Sequence, residues 1–120
     1  AADPWNANAV RASLGTVLSL PIAIEASGAL VAWLRSLAIR IVAARVEAAA
    51  DYREADLRGP LAIVVGSEAA GLGPEWRAPD VLPVHLPMLG RADSLNVSTA
   101  AAILLYEARR QRDRGRNAAP

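Results

Sequence analysis

The apolar positions of this chain fall into blocks with different periods. Between residues 6 and 20, Val10, Leu14, Val17 and Leu18 recur at helical spacing, with Asn6 or Asn8 available as the cap and Pro21 closing the segment. A second helix is predicted over Ala26–Leu37, with Leu30, Val31, Leu34 and Leu37 on one side. Arg40–Val46 (RIVAARV) reads as a strand. After a polar connection at residues 51–60 (DYREADLRGP), Leu61–Val65 (LAIVV) is a short continuous apolar run, the pattern of a strand covered on both faces. Pro74–Ala78 predicts one helical turn, and Val84–Leu86 a further short strand stopped by Pro87. The last helix is predicted from about Asn96 to Arg112, with Val97, Ala101, Leu104, Leu105 and Ala108 on its buried side.

Helices alternating with short apolar strands predict a layered α/β domain with a mostly parallel sheet. The 120 residues suit one domain, and 53% hydrophobic residues are enough for a sizeable core. Only three clear strands are legible, which makes a thin sheet for this class.

Composition then removes whole classes of function. The chain has no cysteine and one histidine, so disulfides, thiolate zinc sites and His-based metal clusters are not expected. It contains no run of about 18 uncharged apolar residues, so no membrane span is expected. The start, AADPWNANAVRAS, lacks the basic and apolar regions of a signal peptide. A cytoplasmic protein is the default reading. Net charge is +1, with thirteen Arg and no Lys. The Arg residues cluster at Arg109, Arg110, Arg112, Arg114 and Arg116. That cluster fits either a solvated helix end suited to the helix dipole or a contact to RNA phosphates, and residues 109–120 read as a basic tail.

Three stretches carry polar residues beyond structural need. Val65–Gly73 (VGSEAAGLG) follows a strand directly, where open α/β sheets bind ligands. It is neither a dinucleotide fingerprint nor a Walker loop, and an ordinary Gly-rich turn remains open. Leu86–Ser98 (LPMLGRADSLNVS) is again a strand end, then Gly, then a helix start. One helix needs one cap, yet Ser94, Asn96 and Ser98 stand together beside Asp93. Two such loops could wall a small-molecule pocket. In Asn8–Gly15 (NAVRASLG), Arg11 and Ser13 interrupt a small apolar helix, as a surface Arg and packing Ser would also do. His85 reads as an exposed strand residue, Tyr106 and Met88 as packing residues, and Trp33 as core or interface. Trp5, Trp33 and Trp76 are too scattered to form a ladder for stacking bases.

Together these stretches resemble the SpoU-type RNA ribose methyltransferases of the SPOUT superfamily. Residues 3–23 (DPWNANAVRASLGTVLSLPIA) are similar to the family segment N-x-x-x-V-R-A-S-x-G ending in Leu-Pro. Residues 57–72 (LRGPLAIVVGSEAAGL) resemble its second motif, a strand running into G-S-E-x-x-G-L. Residues 84–107 (VHLPMLGRADSLNVSTAAAILLYE) resemble its third, I-P-M-x-G-x-x-x-S-L-N-V-S followed by an Ala-rich helix. Order and spacing agree over nearly the whole chain.

The resemblance implies an α/β knot, a deep trefoil that is a rare exception to the rule against knots, with helices on both faces of a mostly parallel sheet. It implies an S-adenosylmethionine site. Val65, Gly66, Ser67, Glu68 and Gly71 would form one wall and Leu86, Met88, Leu89 and Gly90 another, with Ser94, Leu95 and Asn96 closing the site. Glu68, Ser94 and Asn96 take the positions the family associates with catalysis or substrate placement, and Arg11, Ser13 and Arg91 are the residues expected at RNA. The implied reaction is methyl transfer to a ribose 2′-hydroxyl of tRNA or rRNA by a homodimer joined through the last helix, without a metal. The family's first motif, N-x-G-x-x-x-R, has no match in this sequence; Asn6 and Arg11 have the wrong spacing and no Gly between them. The chain is therefore expected to be an N-terminally truncated SpoU domain, catalytically crippled alone. Two other readings compete: a non-catalytic RNA-binding or assembly domain of the same fold, and an unrelated nucleotide-binding α/β protein, which gives no reason for the SLNVS cluster.

Overall fold

A computed structural model describes residues 5, 7, 19–45, 48–66, 73–86 and 97–118. The helix expected between residues 6 and 20 lies largely outside them. Helix α1 spans Ser27–Ser36 and turns Val31 and Leu34 inward. Its C-terminus closes with a Schellman motif: Ile39 N–H donates to the Leu34 carbonyl and Ala38 N–H to the Arg35 carbonyl, both at 3.1 Å. Ala38 pays for that geometry with φ of 54°, where glycine is the usual residue. Leu37, expected on the buried side, caps this helix and is 52% exposed, because the reversal of the chain carries it off the apolar stripe.

Strand β1 (Arg40–Ala44) is central, β2 (Leu61–Val64) and β3 (Val81–Val84) flank it, and both pairings are parallel. Ile41, Val42 and Ala43 are at most 2% exposed, as a strand covered on both faces requires. Alternation sorts the side chains. Ile41, Ala43 and Val81 join Val31, Leu34 and Trp76 on the α1 face. Val42, Val84 and Leu86 join Leu57 and Ala100, Leu104 and Ala108 of helix α2 (Val97–Ala118) on the other. The layers are helix, sheet, helix, as expected. The knot depends on residues outside those described.

β3 lies earlier than the expected Val84–Leu86. It includes Pro83, which has no N–H for a ladder and is tolerated only where that nitrogen faces away from the neighbouring strand. Arg45 N–H donates to the Val84 carbonyl at 2.9 Å, so Val84 turns its backbone to β1 and Pro83 turns its nitrogen to the free edge. Between β2 and β3, Pro74–Arg77 forms a 3-10 turn that seals Trp76 into the α1 face.

α2 extends beyond the expected end at Arg112 to Ala118. Its buried face also differs: Ala100, Leu104, Glu107 and Ala108 point inward, while Val97, Leu105 and Tyr106 are 38%, 60% and 77% exposed. The buried Glu107 is held by a two-pronged contact from Arg110, both bonds 2.8 Å, and by Gln111 Nε2 at 2.8 Å. Those bonds hold its carboxyl below the usual range, the Arg110 contact foremost. Gln111 also donates to the Ala55 carbonyl at 3.0 Å and accepts from Leu57 N–H at 2.9 Å, so one side chain fastens the β1–β2 connection across the helix.

Candidate active site

In a parallel sheet all three strands end on the same side. β1 is central, and the two later strands lie on its opposite edges, so the chain reverses its direction of growth at β1. The connection from β1 to β2 crosses the α2 face through Leu57, and that from β2 to β3 crosses the α1 face through Trp76. Crevices at such a reversal, beyond the carboxyl ends of the strands, are where open α/β sheets take ligands.

Three expected site residues stand there. Val65 and Gly66 follow β2 directly and are half-buried, and Leu86 is buried two residues beyond β3. Ser67, Glu68, Gly71, Met88, Leu89, Gly90, Ser94, Leu95 and Asn96 lie outside the described residues, as do Arg11, Ser13 and Arg91. The structure thus brings together the first residues of both expected walls.

Sequence reasoning missed what holds those strand ends. Arg45, one residue past β1, donates from Nη2 to the Trp76 carbonyl and so ties the 3-10 turn to the central strand. The signal was a lone Arg inside an apolar run. On the other edge, His85 N–H donates to the Ala50 carbonyl at 2.8 Å, and Tyr52 N–H donates to the His85 carbonyl at 3.0 Å. Asp51 pairs with His85 as an isolated bridge. Asp51 is itself braced: Arg53 donates Nε, Nη2 and its backbone N–H to the carboxylate at 2.8–3.0 Å. The Arg53 contacts hold its carboxyl down, to about 2. Asp51 is therefore an ionised structural acid at neutral pH, not a proton donor. His85 is half-buried rather than exposed, because residues 50–52 cover the edge of β3. Its Nδ1 is buried without a hydrogen-bond partner among the described residues. Trp33, 57% exposed, is not core, and Tyr106, expected to pack, is mostly exposed.

At these strand ends Leu86 is buried and Val65 packs beside it within the α2-face core, while Gly66 is half-buried. Among the described residues no group of His, Asp and Glu is placed to hold a metal. The model of the SpoU rRNA Methylase family matches residues 1–106. The chain belongs to that family. A SpoU relative in Streptomyces viridochromogenes, named 23S rRNA (uridine(2479)-2'-O)-methyltransferase, is 36% identical over 98% of this chain and 43% of its own length. The tRNA (guanosine(18)-2'-O)-methyltransferase of Escherichia coli K12 is 41% identical over 71% of this chain and 38% of its own length. Among solved structures, the SpoU methyltransferase AviRb from Streptomyces viridochromogenes in complex with the cofactor AdoMet superposes with a TM-score of 0.81 at 34% identity, covering 92% of this chain and 46% of that one. The chain spans about two fifths of the length of these curated SpoU relatives.

Proposed function

We propose that the intact protein is an S-adenosylmethionine-dependent RNA 2′-O-ribose methyltransferase acting on tRNA or rRNA. The observation that carries this is the convergence of both motif strands, through Val65–Gly66 and Leu86, at the carboxyl end of one parallel sheet. The names of the relatives and the AdoMet complex of AviRb support the same reaction and cofactor. The cofactor supplies an electrophilic methyl on a sulfonium. Val65, Gly66, Ser67 and Gly71 would line one side of it and Leu86, Met88, Leu89, Gly90 and Leu95 the other. Glu68, Ser94 and Asn96 would place the ribose. As the 2′-oxygen bonds the methyl carbon, the carbon–sulfur bond breaks and the hydroxyl proton leaves to a base or water. A hydroxyl is a weak nucleophile, so in-line placement carries most of the rate. Arg11, Ser13 and Arg91 are assigned to RNA contacts, and no metal is required.

The 120 residues form one SpoU domain in this reading. Without an arginine-bearing first motif they should transfer methyl groups poorly alone. We assign α2 to a homodimer interface, supported by its outward Leu105 and Tyr106, which a helix in water does not ordinarily present together. A cytoplasmic location fits the substrates, and no helix among the described residues is long and apolar enough to cross a membrane.

The test is methyl transfer from labelled S-adenosylmethionine to RNA by the intact protein and by its Asn96→Ala variant. Activity should fall at least about a hundredfold in the variant with little change in melting temperature, as for other groups acting mainly in the transition state. RNA binding without cofactor binding in the unsubstituted protein would favour the non-catalytic reading. Loss of stability with activity per folded molecule intact would return Asn96 to the role of a helix cap.

A further inference from the structure

The central strand ends where the sheet reverses its direction of growth, and the residue standing there is a half-buried arginine. Arg45 follows β1 directly. On one side its N–H donates to the Val84 carbonyl at 2.9 Å, two residues before Leu86. On the other side Ala43 pairs with Val64, and the same parallel register carried two residues on sets Arg45 beside Gly66. Ile41 and Ala43 face α1, so alternation sends the Arg45 side chain to that face too, where Trp76 lies. There its Nη2 donates to the Trp76 carbonyl.

That carbonyl belongs to a stiff piece of chain. The Trp76 side chain is buried among Val31, Leu34, Ile41, Ala43 and Val81. Its N–H donates to the Gly73 carbonyl at 3.1 Å, which closes the 3-10 turn, and Pro74 opens the turn with its φ fixed by the ring. A turn held this way moves as one unit, so the orientation of the Trp76 peptide passes to Gly73. Burial of the indole fixes where the turn sits; the guanidinium bond fixes how its peptide is turned. An apolar residue would pack beside Trp76 without desolvating a charge, so what the arginine adds is its donor. Gly66 and Gly73 bound the stretch that carries the second motif. Arg45 stands beside one bound by register and grips the other through its side chain. None of these contacts involves an outer edge of the sheet or the outward face of α2.

We propose that Arg45 is a positioning residue of the cofactor site: by tying the Trp76 carbonyl to the end of β1, it sets the spacing between the wall that starts at Gly66 and the wall that starts at Leu86, and with it the affinity for S-adenosylmethionine. This role rests on the methyltransferase reading. Arg45 acts through the backbone of its neighbours, by way of Val84 towards Leu86 and by way of Trp76 towards Gly73. It takes no part in moving the methyl group or the hydroxyl proton. Losing the tie therefore weakens ground state and transition state alike, which raises KM for the cofactor and spares kcat.

The experiment measures S-adenosylmethionine binding to the intact protein by calorimetry, with methyl transfer to unfractionated tRNA read in parallel. Arg45→Met keeps an apolar stem and removes the donors. It should weaken cofactor binding about tenfold, the size of one hydrogen bond to a charged group. KM for the cofactor should rise by a similar factor, with kcat held within about threefold. Arg45→Lys, whose ammonium can still reach a carbonyl, should recover part of the loss. Val31→Ala loosens the same core layer without touching the tie, and should lower the melting temperature at unchanged cofactor affinity. Should Arg45→Met fail to fold, Arg45→Gln, polar but shorter than the span to Trp76, must show the same weakening. Cofactor affinity within about twofold of the unsubstituted protein in these donor-loss variants would overturn the role and leave the methyltransferase reading intact. An equal loss of affinity in Val31→Ala would also overturn it, since stability alone would then set binding. Absence of S-adenosylmethionine binding by the unsubstituted protein would overturn the methyltransferase reading itself.

Discussion

Gln111→Ala should destabilise the fold by about 2–4 kcal/mol. Gln111 Oε1 accepts from Leu57 N–H at 2.9 Å, and its Nε2 also donates to the Ala55 carbonyl at 3.0 Å. Leu57 is fully buried within the α2 face of the core, so its N–H has little access to water once the partner is gone. A buried donor left unsatisfied costs about 1–3 kcal/mol. Ala55 is half-buried and its carbonyl can recover a water, so its loss adds about 1 kcal/mol. Gln111 also donates to the buried Glu107, which keeps Arg110 as partner and contributes little more. Urea unfolding followed by circular dichroism reads the sum. With a slope of about 1–3 kcal/mol per molar typical of small domains, the midpoint should drop by about 1–2 M at unchanged slope. A loss under about 0.5 kcal/mol would refute the reasoning, because the 55–57 connection would then hold its place without the helix.

Ala38→Gly should stabilise the chain by about 0.5–1 kcal/mol, since the left-handed backbone at φ of 54° costs a Cβ about 1–2 kcal/mol and glycine's greater unfolded freedom returns only part of it; thermal melting checks the sign. Leu104→Ala empties a fully buried site beneath the sheet and should cost about 2–5 kcal/mol in the same urea assay. The Asp51 carboxyl should titrate near 2 by NMR. Because its folded value is depressed, its contribution is present above the unfolded carboxylate value near 4 and is lost as pH falls towards 2. Asp51→Asn should flatten stability over that window, and an unchanged pH profile would remove the Arg53 contacts as a source of stability.

Periodicity located most of the elements, because an apolar run is legible wherever a strand is covered on both faces. RIVAA and LAIV became β1 and β2 nearly as read. β3 runs from Val81 to Val84 and carries Pro83, which a strand admits only at an edge, and edge position is a property of the sheet. The exposed face of α2 was misassigned for a related reason. Val97, Leu105 and Tyr106 are apolar or aromatic at helical spacing, yet only the rotation of the helix over the sheet decides which stripe is buried, and it chose one containing Glu107.

The family was readable from motif spacing, and so was the position of Val65, Gly66 and Leu86 at the ends of strands, since chemistry needs particular residue types in a particular order. The ties that hold the strand ends were not: Arg45 to the Trp76 carbonyl, the backbone of His85 to residues 50–52, and Gln111 to the connection at 55–57. Each joins positions far apart in the chain through a backbone group that every residue carries. Such a group leaves no mark in a sequence, and only the folded chain selects its partner.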